Sequence, residues 1–220
     1  MKIAVLGTGM VGQALAGRLA QLGHDVVVGT RDPQTTLAHP PFATWQDQHP
    51  HVRLATFAEA AAHGEVVVNA SSGGASLAVL EAAGADRLAG KVLLDIANPL
   101  DFSQGFPPSL SVVNTDSLAE QIQRAFPAVR VVKSLNTMNC EVMVDPKRLP
   151  GDHDVLVAGD DPEAKATVEG LLRELGWPQG SIIDLGGLRA ARGTEMYLPL
   201  WLSLMQALGS GDFNIKVVKA

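Results

Sequence analysis

The chain opens on an apolar run, Ile3 to Leu6, with no polar position to break it. Such a run reads as a strand buried on both faces, the pattern of a parallel sheet covered by helices. Val11, Leu15, Leu19 and Leu22 then recur at helical spacing, Gly23 supplies a stop, and Asp25 to Val28 begins a second strand. A polar, proline-marked stretch through Pro50 predicts a surface loop with little regular structure. Beyond it, Thr56 predicts the N-cap of a short alanine-rich helix that ends at Gly64. Buried strands are predicted at Glu65 to Ala70, Lys91 to Ile96 and Val129 to Ser134, with Ser117 and Glu120 as the capping box of an intervening helix to Phe126.

After Pro146 and Pro150 the pattern restarts. It predicts a strand at Val155 to Ala158, a capping box of Asp160 and Glu163 around Pro162, a helix to Gly176, and a strand at Ser181 to Asp184. A strongly apolar helix from Thr194 to Leu208 closes the series, striped by Met196, Leu200, Leu204 and Leu208 and widened by Trp201, Leu202 and Met205. Pro199 is expected to kink it. A helix apolar on so many sides implies burial in the core or against a second copy, hence a homodimer. The alternation of strands and helices predicts an α/β, Rossmann-type doubly wound parallel sheet over residues 1–150. Residues 151–220 are expected to form a small C-terminal α/β unit that completes the substrate cleft and the dimer contact.

The turn after the first strand carries the sharpest chemical signal. Gly7, Gly9 and Gly12 have the G-x-G-x-x-G spacing directly between a strand and a helix. Gly7 permits the tight turn, Gly9 lets a pyrophosphate approach the backbone, and Gly12 lets helix and strand pack closely; Thr8, Met10 and Val11 complete the contact. The second strand runs out into Gly29, Thr30 and Arg31 where NAD sites place a carboxylate. A hydroxyl from Thr30 and a charge-assisted pair from Arg31 suit the 2′-phosphate of NADP. The alternative is that Arg31 only solvates a loop and Asp32 is the ribose acid, displaced by a few positions.

Further strand ends fall where the nicotinamide half should lie: Ala70-Ser71-Ser72, Asn98-Pro99 and Asn136-Thr137. Turns also favour these residue types for backbone hydrogen bonding. Lys133, Asn136, Arg189 and Arg192 are candidates for a second ligand, with Lys133 and Asn136 the candidate catalytic residues. A lysine at a strand end also serves as a structural charge.

Composition narrows the classes. The 220 residues carry 17 Lys and Arg against 23 Asp and Glu, a formal net charge of -6, which disfavours nucleic acid and anionic membrane as partners. Cys140 is the only cysteine, so no intrachain disulfide forms, and a cytoplasmic protein without leader or membrane span is expected. The six histidines are scattered without ligand spacing, so no metal site is expected. No G-x-S-x-G elbow or cysteine motif supports nucleophilic catalysis.

With these motifs placed, the chain resembles the coenzyme F420-dependent NADP reductases, and is similar also to the cytosolic domain of the STEAP metalloreductases. Three segments carry the resemblance over essentially the whole chain: Gly7-Thr8-Gly9-Met10 with Gly29-Thr30-Arg31, Val131 to Thr137, and Asp212-Phe213-Asn214-Ile215-Lys216. The resemblance implies direct hydride transfer between NADP and a second redox carrier, F420 or a flavin, held between the large unit and the small one. The cofactors carry such chemistry and the protein orients them. Two features depart from the family pattern: Asp32 to Thr35 offer no further basic residue, and Asn136 stands where F420 users often have His. The acceptor therefore stays open between F420, a flavin, a quinone and a chelated metal ion. Two other classes remain: an imine, pyrroline-5-carboxylate or carbonyl reductase, and a protein that binds NADP without turnover. Hydroxyacid dehydrogenases carry a catalytic lysine after a glycine-rich helix start, and Gly186 to Leu208 contains none.

Overall fold

The computed structural model describes residues 1–219. In chain order the elements are β1 (Lys2–Leu6), α1 (Met10–Gln21), β2 (Asp25–Thr30), α2 (Pro33–Leu37), α3 (Pro40–Gln48), β3 (Arg53–Thr56), α4 (Phe57–His63) and β4 (Val66–Asn69). Next come α5 (Ser76–Ala83), α6 (Ala85–Leu88), β5 (Val92–Asp95), the short β6 (Leu100–Asp101) and β7 (Ser109–Leu110), α7 (Leu118–Ala125), β8 (Arg130–Ser134) and α8 (Cys140–Val144). The chain closes with β9 (Val155–Gly159), α9 (Pro162–Leu175), β10 (Ile182–Asp184), α10 (Ala191–Met196) and α11 (Leu198–Leu208).

The main sheet has the order β10-β9-β8-β5-β4-β1-β2-β3. From β3 to β8 all neighbours are parallel, and the order reverses between β1 and β4. This is the doubly wound arrangement, whose ligands sit outside the strand carboxyl ends at the reversal. Strand β9 pairs antiparallel to β8 and β10 lies parallel to β9, so the sheet is mostly rather than wholly parallel.

Both faces of the sheet are covered, as the unbroken apolar strands require. Ile3, Val5, Val26 and Val28 pack against Leu15 and Leu19 of α1, Phe42 of α3 and Leu171 of α9. Ala4, Leu6, Val27 and Val67 pack against the opposite layer, which includes Ala60, Leu80 and Ile122. Alternation within each strand thus feeds two cores.

Four local expectations change. The stretch expected as a loop through Pro50 holds α2 and α3, and β3 follows it. Pro33 and Pro40 stand in the first turns of those helices, where proline's missing N–H has no helical partner to lose. Asp161, not Asp160, caps α9, accepting from Ala164 N–H at 2.8 Å, whereas Asp160 accepts from Leu188 N–H at 2.9 Å. Glu120 does not complete the backbone half of a capping box: it accepts from the Ser117 hydroxyl at 2.7 Å and from Arg192. The Thr194 to Leu208 helix divides between Met196 and Leu198, with Pro199 in the first turn of α11. Its stripe faces outward at Met196, Leu200 and Leu208, while Leu198 and Leu202 are buried.

Candidate functional site

The turn from β1 into α1 is built by steric limits. Gly7 has φ +133°, and a Cβ there would lie 2.4 Å from the Ala70 carbonyl oxygen; one on Gly12 would lie 2.1 Å from the Gly7 oxygen. A Cβ on Gly9 would meet nothing within 4 Å. That open approach is what the close passage of a pyrophosphate past the backbone would require. Gly9 is also the N-cap of α1 and brings no side-chain cap, leaving the first N–H groups of the helix for an anion. Gln13 braces the turn by donating to the Thr8 carbonyl at 2.8 Å. The residues present therefore fit a dinucleotide.

At the end of β2, the two candidate residues differ. Thr30 is buried, and its hydroxyl lies 2.8 Å from that of Thr36, which donates to the Asp32 carbonyl at 2.9 Å. With the Thr36 proton so used, the Thr30 proton goes to Thr36 rather than to a ligand, and Thr30 keeps only acceptor capacity outward. Arg31 is exposed and makes no ion pair among the described residues. Asp32, the alternative ribose acid, is the N-cap of α2. Its Oδ1 accepts from Gln34 N–H at 2.9 Å and Thr35 N–H at 3.2 Å, and its Oδ2 from the Thr35 hydroxyl at 2.8 Å. The Thr35 hydroxyl, with the N–H groups of Thr35 and Gln34, holds this exposed carboxyl below the usual aspartate range. Three of its acceptor sites already serve the helix, and Arg31 is the charge at this strand end without an ion-pair partner among the described residues.

Beyond the reversal point lies a cleft of about 480 Å³. The side next to the glycine turn is formed by Gly9, Met10 and Val11; its floor by Ala70, Ser71, Ser72, Gly73, Ala97, Asn98 and Asn136. The far wall is apolar: Ile96, Leu100, Phe102, Met138, Met143, Leu198 and Trp201. Among the described residues, no acid, base, histidine or cysteine side chain lines it. Pro99, expected here, is buried and does not line the cleft; its carbonyl accepts from Ser111 N–H at 2.8 Å. A second hollow of about 560 Å³, on the outer side of α1 toward α3 and α8, shares only Met10 with this cleft.

The floor is tied together by exchanged amide bonds. Asn136 Nδ2 donates to Asn98 Oδ1 at 2.9 Å and Asn98 Nδ2 to the Asn136 carbonyl at 2.8 Å, which locks the ends of β5 and β8 to each other. Leu135 turns Asn136 into place with φ 63°, a left-handed conformation costing a leucine about 1–2 kcal/mol.

Lys133 stands elsewhere. It is 1% exposed, and its ammonium donates to Asp95 Oδ2 at 2.8 Å, to Glu195 Oε1 at 2.8 Å and to the Ala97 carbonyl. Three donors meet three acceptors beneath the floor, so none is left for a ligand. Burial works against the charge, but the carboxylates of Asp95 and Glu195 outweigh it and hold the Lys133 pKa above the ordinary lysine value. Glu195 moves upward because burial outweighs the pull of Lys133 and of the Leu118 N–H. The network continues toward the cleft: Asp95 Oδ1 accepts from Asn69 Nδ2 at 2.8 Å, and Asn69 Oδ1 from the Ser71 hydroxyl at 2.6 Å.

Arg192 is likewise structural, paired with Glu120 at 2.7 and 2.8 Å. Arg189 is exposed and outside the cleft lining. The wall residues from Leu100 to Trp201 escaped the sequence reading because isolated apolar side chains carry no local signal of facing a cleft.

Fold order, glycine turn and reversal-point cleft together define a dinucleotide-binding protein of Rossmann type. The profile of the family described as "NADP oxidoreductase coenzyme F420-dependent" matches residues 2–99. An F420-dependent NADP reductase of Methanothermobacter marburgensis is 33% identical over 210 residues, covering 93% of this chain and 92% of that protein. A solved chain from Arthrobacter sp. FB24, provisionally described as an F420-dependent NADP reductase, is 60% identical with a TM-score of 0.96 over 100% of both chains. Rat metalloreductase STEAP3 is 32% identical over 94% of this chain, which spans only 39% of its length. The chain belongs to the F420-dependent NADP reductase family and is an NADP-dependent oxidoreductase.

Proposed function

We propose that the protein passes hydride between NADP and a second planar carrier, F420 or a flavin, held against the apolar wall of the cleft. The observation that carries this reading is the cleft lining itself: a polar floor beside the glycine turn, an apolar wall, and no ionisable side chain between them. When bound, the nicotinamide supplies or takes up the hydride. The chain's own part is to orient and to exclude water. Asn98 and Asn136 present a rigid amide floor, Ser71 is held by Asn69, and Leu100, Phe102 and Trp201 supply a surface for an aromatic ring. Residues 151–220 act as the unit that completes the cleft, contributing Leu198 and Trp201. An imine or carbonyl reductase would need a proton donor within reach of the substrate. The likeness to imine reductases from Aspergillus terreus, at 22% identity, concerns the fold alone.

The test is a panel of F420, FMN, a quinone, ferric chelate and pyrroline-5-carboxylate with NADPH, followed by nicotinamide absorbance. Oxidation of NADPH by F420 or FMN, with label passing from one face of stereospecifically deuterated NADPH, is expected. Turnover of pyrroline-5-carboxylate alone, or of nothing, would defeat the reading. Leu200 and Leu208, exposed on α11, further support pairing of two copies through that helix. Light scattering should give a dimer mass at micromolar protein; a monomer there would rule the pairing out.

A further inference from the structure

The closing segment Asp212 to Lys216, one of the three that carry the resemblance, lies apart from the glycine turn and from the end of β2. It has neither helix nor strand and is anchored nonetheless. Arg148 Nε and Nη2 donate to the two carboxylate oxygens of Asp212 at 3.2 and 3.1 Å. Asn214 Nδ2 lies 2.9 Å from His153 Nδ1 and donates to the Asp154 carbonyl at 2.9 Å, and Asp154 N–H donates to the Ile215 carbonyl at 2.9 Å. The Asp154 carboxylate, in a residue 1% exposed, accepts from Lys216 Nζ and from Val217 N–H, both at 2.7 Å.

Between these anchors Phe213 lies on Trp201, with ring centroids 5.4 Å apart and planes 24° from parallel. Gly211 fills the same region: a Cβ there would be 3.5 Å from two carbons of the Trp201 ring and 3.0 Å from the Asn139 amide. The Trp201 indole N–H is buried without a hydrogen-bond partner among the described residues. A buried indole normally finds one, so packing by the strap, not a polar contact, holds this ring at the cleft wall.

We propose that Phe213 is a positioning residue that acts through Trp201 to set the cleft wall for the second carrier. The strap of residues 211–217 is then a determinant of specificity for that carrier and not for NADP. The inference rests on the reading of the cleft given above. Its chemistry is that of a planar aromatic ring: the strap fixes one face against which such a ring packs, and loosening it costs alignment rather than a reacting group.

The experiment compares wild type with Phe213→Ala, Phe213→Tyr and Gly211→Val, using F420, FMN and menadione as probe carriers. In Phe213→Ala, acrylamide quenching of tryptophan fluorescence should rise, and the rise should vanish in a Trp201→Phe background. The KM for whichever probe is reduced should increase on the order of tenfold, because a misplaced partner ring loses productive alignment. The Kd for NADPH should stay within about twofold and Phe213→Tyr should restore the wild-type KM. Gly211→Val, which keeps the strap but crowds the ring, should raise KM without raising quenching. Increased quenching with an unchanged KM would overturn the proposal and leave the functional reading standing. So would a parallel loss of NADPH affinity, which marks general unfolding. Failure of all three probes to bind or react with the wild type would overturn both.

Discussion

Arg31 and Lys133 are both basic residues near the carboxyl ends of parallel strands, and the fold gives them opposite work. Arg31 follows the edge-side strand β2, is exposed, and has no anionic partner among the described residues. Lys133 lies in β8, between β5 and β9, and is enclosed by Asp95, Glu195 and the Ala97 carbonyl. A charge left at a sheet's ligand end without a partner is available for a ligand. One that the fold has already neutralised is a tie between elements. Glu195 makes this tie explicit: its carboxylate also accepts from Leu118 N–H at 2.8 Å and Ala119 N–H at 3.1 Å, joining α10 and α7 to β8.

Lys133→Met leaves two buried carboxylates facing each other without their cation, and should destabilise the fold by about 3–5 kcal/mol, the range for removing one partner of a buried pair. Urea unfolding with unchanged m-value measures it. A stable variant that lost turnover alone would return Lys133 to the reaction.

Arg31→Ala should do the reverse. Loss of one charge-assisted contact should weaken NADPH binding by about 1.5–3 kcal/mol, or roughly ten- to a hundred-fold, with stability within about 0.5 kcal/mol of wild type. Calorimetric titration with NADPH and NADH checks it: the preference for NADPH should collapse in the variant. Equal affinities in the wild type would remove Arg31 from the site.

Asp116 pairs with Arg124 at 2.7 Å, an arginine more than half exposed, and the hydrogen bonds from Arg124 bring the Asp116 pKa down to about 2. Because the folded value lies below the unfolded one, the stabilisation is present above about pH 4 and is lost as pH falls toward 2. Solvent screening limits it to under about 1 kcal/mol. Asp116→Asn should therefore flatten the melting temperature only slightly between these pH values, and a large flattening would show the pair to be better shielded than its exposure implies.

Much of the dinucleotide turn was legible because its causes are local. A positive φ at Gly7 and the close approach at Gly12 depend on a few neighbouring atoms, and only glycine meets them. Helices α2 and α3 were not legible because they are short and begin with the prolines that otherwise mark loops. The reversal of strand direction at β9 was hidden for another reason: an apolar run has the same pattern in either direction.

Local pattern was enough for the α/β class, the succession of the principal strands along the chain, the glycine turn, and the absence of a carboxylate at the last position of β2. These follow from periodicity and backbone sterics, which act over a few residues. Only the tertiary structure decided that Asp32 serves a helix, that Lys133 is enclosed, and that Trp201 and Phe213 meet at a cleft wall assembled with Leu100 and Met138. Those outcomes turn on which side chains from distant segments share one small volume, and in such a volume burial and pairing, not residue type, set what a charge or a ring can do.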